Sequence, residues 1–476
     1  MKPKLRALIP VLLAILTSQI LAQSPAPQEL AERAIQRRAV EAVIWGMPLV
    51  NYDRLLQAVT QSGGAPNQIL YWSQPVNWKN QTLTPNPDTI YLNPFYDTSK
   101  GPVVLEVPPA GDDGIVVGSV DTAWQNALGD IGPAGLDQGK GGKYLITPPG
   151  YKDKIPEGYF VLPSDTYQGF VILRSNFKSR SKEDIAAAVA HGKRTKIYPL
   201  GGDPESTVYL DAYDKSFDAT IPYDFRFFES LHRMVQVEPW LERDRVMINM
   251  LKTIGIEKGK PFAPDAATKT LLEAAAKEAR AEIGLKYEKG FEPPFFFNTH
   301  WSMPIPKEAV DGMSGMFADP DSYAIDGRSV MYAMGYFSAK HLGTAQFYLV
   351  SINDKNGRPL AADKTYVLNV PANAPVKQYW SATAYDRETH ALIKETSHSS
   401  RSSNVPELQK NEDGSVDLFF GPTAPSGKES NWVPTGGRDF EIIFRLYGPE
   451  NAFFEKKWPL TDLQEVRMRT IEPKQK

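Results

Sequence analysis

The chain has 476 residues, no cysteine, and 53 basic against 56 acidic residues, a net charge of −3. Without cysteine there are no disulfides, thiolate metal sites or thiol nucleophiles. Mild acidity with no basic cluster argues against nucleic acid as a partner, and the length allows a large core divided between two or more domains.

Lys2, Lys4 and Arg6 precede a mostly apolar run, Ala7 to Leu21, with the small Ala22 behind it. That order is a secretory signal peptide over residues 1–22. Pro10 and Thr17-Ser18-Gln19 interrupt the run, leaving it too short and too polar for a good membrane span. The expectation is an exported protein, periplasmic or secreted and not membrane-spanning, whose mature chain begins near Gln23. A short polar linker follows. Leu30, Ala34, Val40 and Val43-Ile44 then recur at helical spacing up to Gly46 and Pro48, and a second short helix is expected over Asn51 to Leu56.

Between 70 and 175 the pattern changes to short runs rich in Val, Ile, Tyr and Phe, separated by Pro/Gly turns. Strands are expected at Thr89–Phe95, Pro102–Val107, Gly114–Val120, Tyr159–Leu162 and Gln168–Leu173. Residues 181–290 read as mainly helical. Ser181 with Asp184 resembles a capping box, Phe225, Phe228, Leu231 and Met234-Val235 form an apolar stripe, and an alanine-rich helix from Ala266 to Ile283 closes at Gly284. From Tyr332 strands return at Ala345–Ile352, Tyr366–Val370, Tyr379–Tyr385, Val416–Phe420 and Phe440–Leu446. The expected division is 1–22 signal peptide, 23–178 N-terminal helix plus β-rich domain, 179–310 mainly helical segment, and 311–476 C-terminal β-sandwich domain. The expected fold class is mainly β with α additions.

Two sets of residues carry a family resemblance. Thr84-Pro85-Asn86-Pro87-Asp88-Thr89-Ile90-Tyr91, followed by Gly101-Pro102-Val103-Val104-Leu105-Glu106-Val107-Pro108, resembles the core of the bacterial domain of unknown function number twelve fifty-four. Tyr379-Trp380-Ser381, Tyr385-Asp386, Asn411 to Ser415, Asn431-Trp432 and Arg445-Leu446-Tyr447-Gly448-Pro449 resemble its usual companion, number twelve fourteen. The resemblance implies two jelly-roll-like antiparallel β-sandwich domains with an intervening helical segment.

Two acidic positions are the candidate catalytic residues. Prolines hold Asn86-Pro87-Asp88 extended, so Thr84, Asn86 and Asp88 point to one side and Thr89 and Tyr91 to the other. Asn86 and Asp88 then offer acceptors for a hard cation or substrate hydroxyls, or they hold a turn with their own backbone. Asp121, at the end of a strand beside Trp124, pairs an anchoring charge with a flat apolar platform, or Trp124 is simply a core residue. With Asp88 and Asp121 as acid and base or as metal ligand, the expectation is a hydrolase of a small molecule. The candidate substrate-binding residues are Asn86, Tyr91, Trp124, Arg401 and Trp432. For Arg445, among apolar neighbours, an internal salt bridge is favoured over a ligand contact.

The six histidines, His191, His232, His300, His341, His390 and His398, make no H-E-x-x-H or H-x-H pair, so no standard zinc spacing is present. No G-x-S-x-G elbow, P-loop or dinucleotide fingerprint occurs. Asp319, Asp321 and Asp326 read as a solvated acidic turn rather than a calcium loop. A divalent metal ion stays open as a cofactor, a small molecule or carbohydrate as ligand, and a homo-oligomer as assembly. The competing functional classes are a non-catalytic carbohydrate or envelope binding module and a structural protein.

Overall fold

A computed structural model describes residues 26–336, 339–341 and 346–466; the expected signal segment, 1–22, lies outside them. None of the described helices is long and apolar enough to cross a membrane. Slightly more residues are helical than extended, so the chain is mixed α and β rather than mainly β.

The chain opens with a single 35-residue helix, α1 (Pro27–Gln61), that runs straight through Pro48. Two helices were expected, because proline removes the amide that would bond to the carbonyl four residues back. The helix continues because every residue from 39 to 50 except Glu41 is buried, and that packing outweighs one lost hydrogen bond.

The first lobe contains β1 (Gln68–Tyr71), β2 (Asn80–Gln81), β3 (Ile90–Asp97), β4 (Val103–Val107), β5 (Val116–Thr122), β6 (Ala127–Ile131), β7 (Gly142–Thr147), β8 (Tyr159–Pro163) and β9 (Gln168–Ser175). It is completed by β10 (Lys196–Pro199), β11 (Tyr209–Asp211) and β12 (Phe217–Asp218), three strands inside the stretch expected to be mainly helical. One sheet has the order β11-β1-β3-β9-β5-β6 and the other β10-β4-β7-β8. Both feed a single core: Ile90, Leu92, Val120 and Leu173 come from the first sheet, Val103, Leu105, Tyr144 and Ile146 from the second. α2 (Lys182–Gly192) packs on the same core through Ile185 and Ala188. Its N-cap is Ser181, whose hydroxyl accepts from the Asp184 amide at 3.1 Å, as the spacing predicts.

The helical layer consists of α3 (Phe225–Val237), α4 (Arg245–Thr253), α5 (Ala266–Lys289), α6 (Lys307–Met313) and α7 (Ile325–Met334). α5 continues past Gly284, whose absent side chain faces open space, and ends at Gly290. The second lobe contains β13 (Gln346–Ser351), β14 (Thr365–Val370), β15 (Trp380–Asp386), β16 (Ser400–Ser402), β17 (Val416–Gly421), β18 (Trp432–Pro434), β19 (Phe440–Tyr447) and β20 (Gln464–Val466). Its sheets run β13-β19-β15-β16 and β18-β17-β14-β20 and share a second core.

Strand periodicity then decides how the lobes meet. On β19, Phe440, Ile442, Phe444 and Leu446 enter the second lobe's own core, so Glu441, Ile443, Arg445 and Tyr447 face the other way. On β3 and β9, Tyr91, Phe95, Phe170 and Ile172 likewise turn away from the first lobe's core and join a central core with α1, α3, α5 and α7, to which Val350, Tyr385 and Ile443 of the second lobe also belong. The two lobes and the helices thus share one buried seam.

Candidate functional site

Two arginines face each other's lobes across this seam. Arg174 follows Phe170 and Ile172 at period two on β9 and sits opposite Tyr91 of β3. Arg445 of β19 sits opposite Tyr348 of β13. Each sheet therefore presents an arginine–tyrosine cross-strand pair to the same space. Arg174 lies 5.6 Å from the Tyr91 ring centre, and Arg445 lies 5.1 Å from that of Tyr348.

The space they line is an inner chamber of about 60 Å³, walled by Arg174, Arg445, Tyr91, Tyr336, Tyr348 and apolar side chains. Arg174, Tyr348, Met303 and Ile305 also line a wider outer chamber of about 710 Å³, within the range of small-molecule sites. Burial pushes the Tyr348 phenol up, against the pull of Arg174 and Arg445. Burial, with Tyr91 nearby, does the same for Tyr336. Both remain neutral O–H donors, and the Tyr348 hydroxyl has no hydrogen-bond partner within 3.5 Å among the described residues.

The two guanidinium groups are held differently. Arg445, 1% exposed, donates to the Thr84 carbonyl at 3.0 Å, the Tyr385 hydroxyl at 2.6 Å and Thr383 Oγ1 at 3.1 Å. Its partners are all neutral, so the internal salt bridge favoured from sequence is absent among the described residues. Arg174 faces Tyr91, its Nε has no hydrogen-bond partner among the described residues, and neither arginine has a carboxylate within ion-pair distance there. A buried cation without a counter-ion is costly, and here two share one cavity.

The Thr84–Asp88 segment turns out to be the seam's fastening. Asn86 Oδ1 accepts from the Asp88 amide at 3.0 Å, the local turn that Asn favours, and Thr84 has φ +43, so the stretch is not extended. Its carbonyls are taken from the second lobe: Pro85 by the Tyr385 hydroxyl at 2.6 Å and Asp88 by the Tyr379 hydroxyl at 2.8 Å. Asn86 Nδ2 donates to the Tyr447 hydroxyl. The Asp88 carboxylate is 2% exposed and pairs with Arg180.

Asp88 and Asp121 do not meet. Asp121 pairs with Phe170, whereas Ile90, just after Asp88, pairs with Ser175. Five residues of β9 separate these positions, about 17 Å at ~3.3 Å per residue. Asp121 is fully buried, with Ser119 Oγ donating at 2.9 Å and its other oxygen without a partner among the described residues. Burial pushes its pKa well above the ordinary carboxylate range, Asp130 adds to this, and the Ser119 hydrogen bond and Arg174 pull the other way.

A protonated Asp121 cannot neutralise Arg174. Because its folded pKa lies above the unfolded value, the contribution of Asp121 to stability falls as pH rises from about 4 toward the folded pKa. Asp121→Asn is therefore expected to match wild type at low pH and to exceed it increasingly above that, by about 1–3 kcal/mol at neutral pH. Denaturant titrations of both proteins at pH 4 and pH 7 check this; a variant less stable at both would show that the carboxylate is needed.

The other expected site residues lie elsewhere. Trp124 is a core residue, its ring centre 4.9 Å from that of Trp45. Arg401 lines a separate cavity of about 590 Å³ with Arg180 and His398, and its Nε donates to the Ser430 carbonyl at 2.6 Å. Burial, with Arg180 beside it, lowers the Arg401 pKa to about 10, and burial lowers that of His398 to about 4. Trp432 is anchored through Nε1 to the Gly421 carbonyl at 2.9 Å. Among the seven named residues only Asn86 and Tyr91 line the chamber between the lobes. Arg174, Tyr336 and Tyr348 were missed, although Arg174 directly follows the apolar run Phe170–Leu173 on the same strand, where a charge needs an explanation.

At the outer rim His341 Nδ1 lies 2.9 Å from Asp130 Oδ2, and that carboxylate also accepts from the Lys340 and His341 amides. Among the described residues no three His, Asp or Glu side chains gather as a metal site would require.

Residues 66–199 match the family described as "Protein of unknown function (DUF1254)", and residues 345–451 match "Protein of unknown function (DUF1214)". No curated protein matches the chain. The chain is similar in fold to the crystal structure of the VPA0106 protein from Vibrio parahaemolyticus, at TM-score 0.56 and 16% identity, over 91% of this chain and 100% of that one. A putative uncharacterized protein from Burkholderia cenocepacia aligns at TM-score 0.41 and 12% identity, over 92% and 96%.

Proposed function

We propose that this chain, which belongs to the family joining a DUF1254 to a DUF1214 domain, is an exported protein that binds a small anionic molecule between its lobes. The observation carrying the reading is the convergence of Arg174 and Arg445 on one cavity without a carboxylate partner among the described residues. Folding leaves both charges uncompensated, and an anion entering the chamber would neutralise them while accepting from Tyr348. Export rests on the basic and apolar opening of the sequence. The jelly-roll description of each lobe is part of the proposal and rests on two sheets sharing one core; the parallel pairs β1–β11, β7–β8 and β17–β18 depart from a purely antiparallel pattern.

Hydrolysis by Asp88 and Asp121 is not carried forward, because the register separates them. An aromatic platform for sugars is not carried forward either, because Trp124 is buried and Trp432 is tied to the sheet edge. Thermal melts at low ionic strength with acetate, benzoate and inorganic phosphate test the anion reading. Saturable stabilisation is expected, ~2.7 kcal/mol at a hundredfold excess over Kd; a flat response to every anion would remove the proposal.

A further inference from the structure

We infer that the molecule held between the lobes is an amphipathic monocarboxylate, one carboxylate on an apolar chain or ring. This rests on the anion reading above and adds the ligand's class. Only one guanidinium is free to grip. The terminal nitrogens of Arg445 are already committed to Thr84, Thr383 and Tyr385, whereas Arg174 has only the Tyr91 side chain against it and an Nε without a hydrogen-bond partner among the described residues. Arg174 also stands where the two chambers join, since it lines both. Its planar fork matches a single carboxylate in bidentate fashion, with the Tyr348 hydroxyl beside it as a further donor.

The remaining walls are mostly apolar. Inward lie Ile172, Met331, Met334 and Ile443. Outward, the wide chamber is bounded by Ile115, Val117, Met303, Ile305, Val310 and Met313. Lys377, Gln346, Gln378 and Asn176 are polar exceptions on the outer wall, but a polyanion or a sugar would still give up more water against the apolar surfaces than these few groups replace, whereas a hydrocarbon gains from them. Thioethers on both sides of the head position adapt to chains of different shape. The carboxylate of the outer chamber, Asp130, is occupied by His341 and two backbone amides, so it offers no competing anchor for a basic ligand.

The test is calorimetric titration of the full chain with butanoate, hexanoate, octanoate and decanoate, with decanol, succinate and inorganic phosphate as controls. Affinity is expected to rise about fourfold per methylene, the equivalent of ~0.8 kcal/mol. Decanol is expected to bind at least tenfold more weakly than decanoate, and Arg174→Gln should bring decanoate down to the level of decanol. Affinity independent of chain length, or succinate and phosphate binding more tightly than octanoate, would overturn the class while leaving an anion site in place. If decanoate and decanol bind equally to the wild type, or no acid and no phosphate binds at all, the anion reading falls with it.

Discussion

Arg174→Gln is expected to weaken carboxylate binding by roughly ten- to a hundredfold while leaving the thermal midpoint unchanged or higher. Charged hydrogen bonds contribute about 1.5–3 kcal/mol, which converts to that range of affinity. Stability should move the other way because the guanidinium has no ion-pair partner and its Nε no hydrogen-bond partner among the described residues, and removing a charge without a counter-ion from a poorly solvated site relieves a cost. Arg174→Lys keeps the charge but not the fork, so its affinity should fall between the two. The opposed directions of binding and stability separate a ligand anchor from a structural residue. Calorimetry and thermal melts on the same preparations measure both, and a lower midpoint with unchanged affinity would make Arg174 part of the scaffold. Arg445 provides the contrast: it donates to the Thr84 carbonyl across the seam and to Thr383 and Tyr385 of the adjacent β15, so its loss opens the seam itself.

The second large effect is expected at Glu441, which is 0% exposed. His390 Nδ1 lies 2.7 Å from its Oε1, the Tyr287 hydroxyl donates to Oε2 at 3.0 Å, and Arg387 lies 3.7 Å away. These contacts tie β19 to α5 and to the loop carrying His390, whose φ is +56. Glu441→Ala strands His390 and Arg387 in a buried network and should cost ~3–5 kcal/mol; Glu441→Gln, which can keep the Tyr287 contact, should cost less. Burial alone would raise the Glu441 pKa, but His390, Arg387 and Tyr287 together hold it below the ordinary value. A depressed folded pKa means the network's contribution is full above about 4.5 and is lost as pH falls through the folded value. The gap between wild type and Glu441→Gln should therefore close on acidification below pH 4.5. Denaturant midpoints across pH 3 to 7 decide it, and a gap that is constant with pH would show that the carboxylate charge contributes nothing.

Several elements were legible because their signals are local. The Ser181 cap needs only its own hydroxyl and an amide three residues on. The strand Phe440–Tyr447 alternates large apolar residues with Glu441, Arg445 and Tyr447, so its two faces could be separated at period two before any partner strand was known. α1 was misread at Pro48 because a proline is judged locally as a break, while the burial that carries the helix through it comes from elements far along the chain. The same holds for Asn86, whose turn is a local property but whose bond to Tyr447 spans 361 positions.

The sequence by itself determined the elements, the order of two β-rich lobes around helices, and which side chains of each strand share a face, since these follow from spacing, capping and turn chemistry. Only the tertiary structure decided that Asp88 and Asp121 lie apart and that Arg174 and Arg445 converge. Periodicity assigns a residue to a face but says nothing about what that face meets. Strand register and the docking of the lobes are settled by contacts between residues hundreds of positions apart.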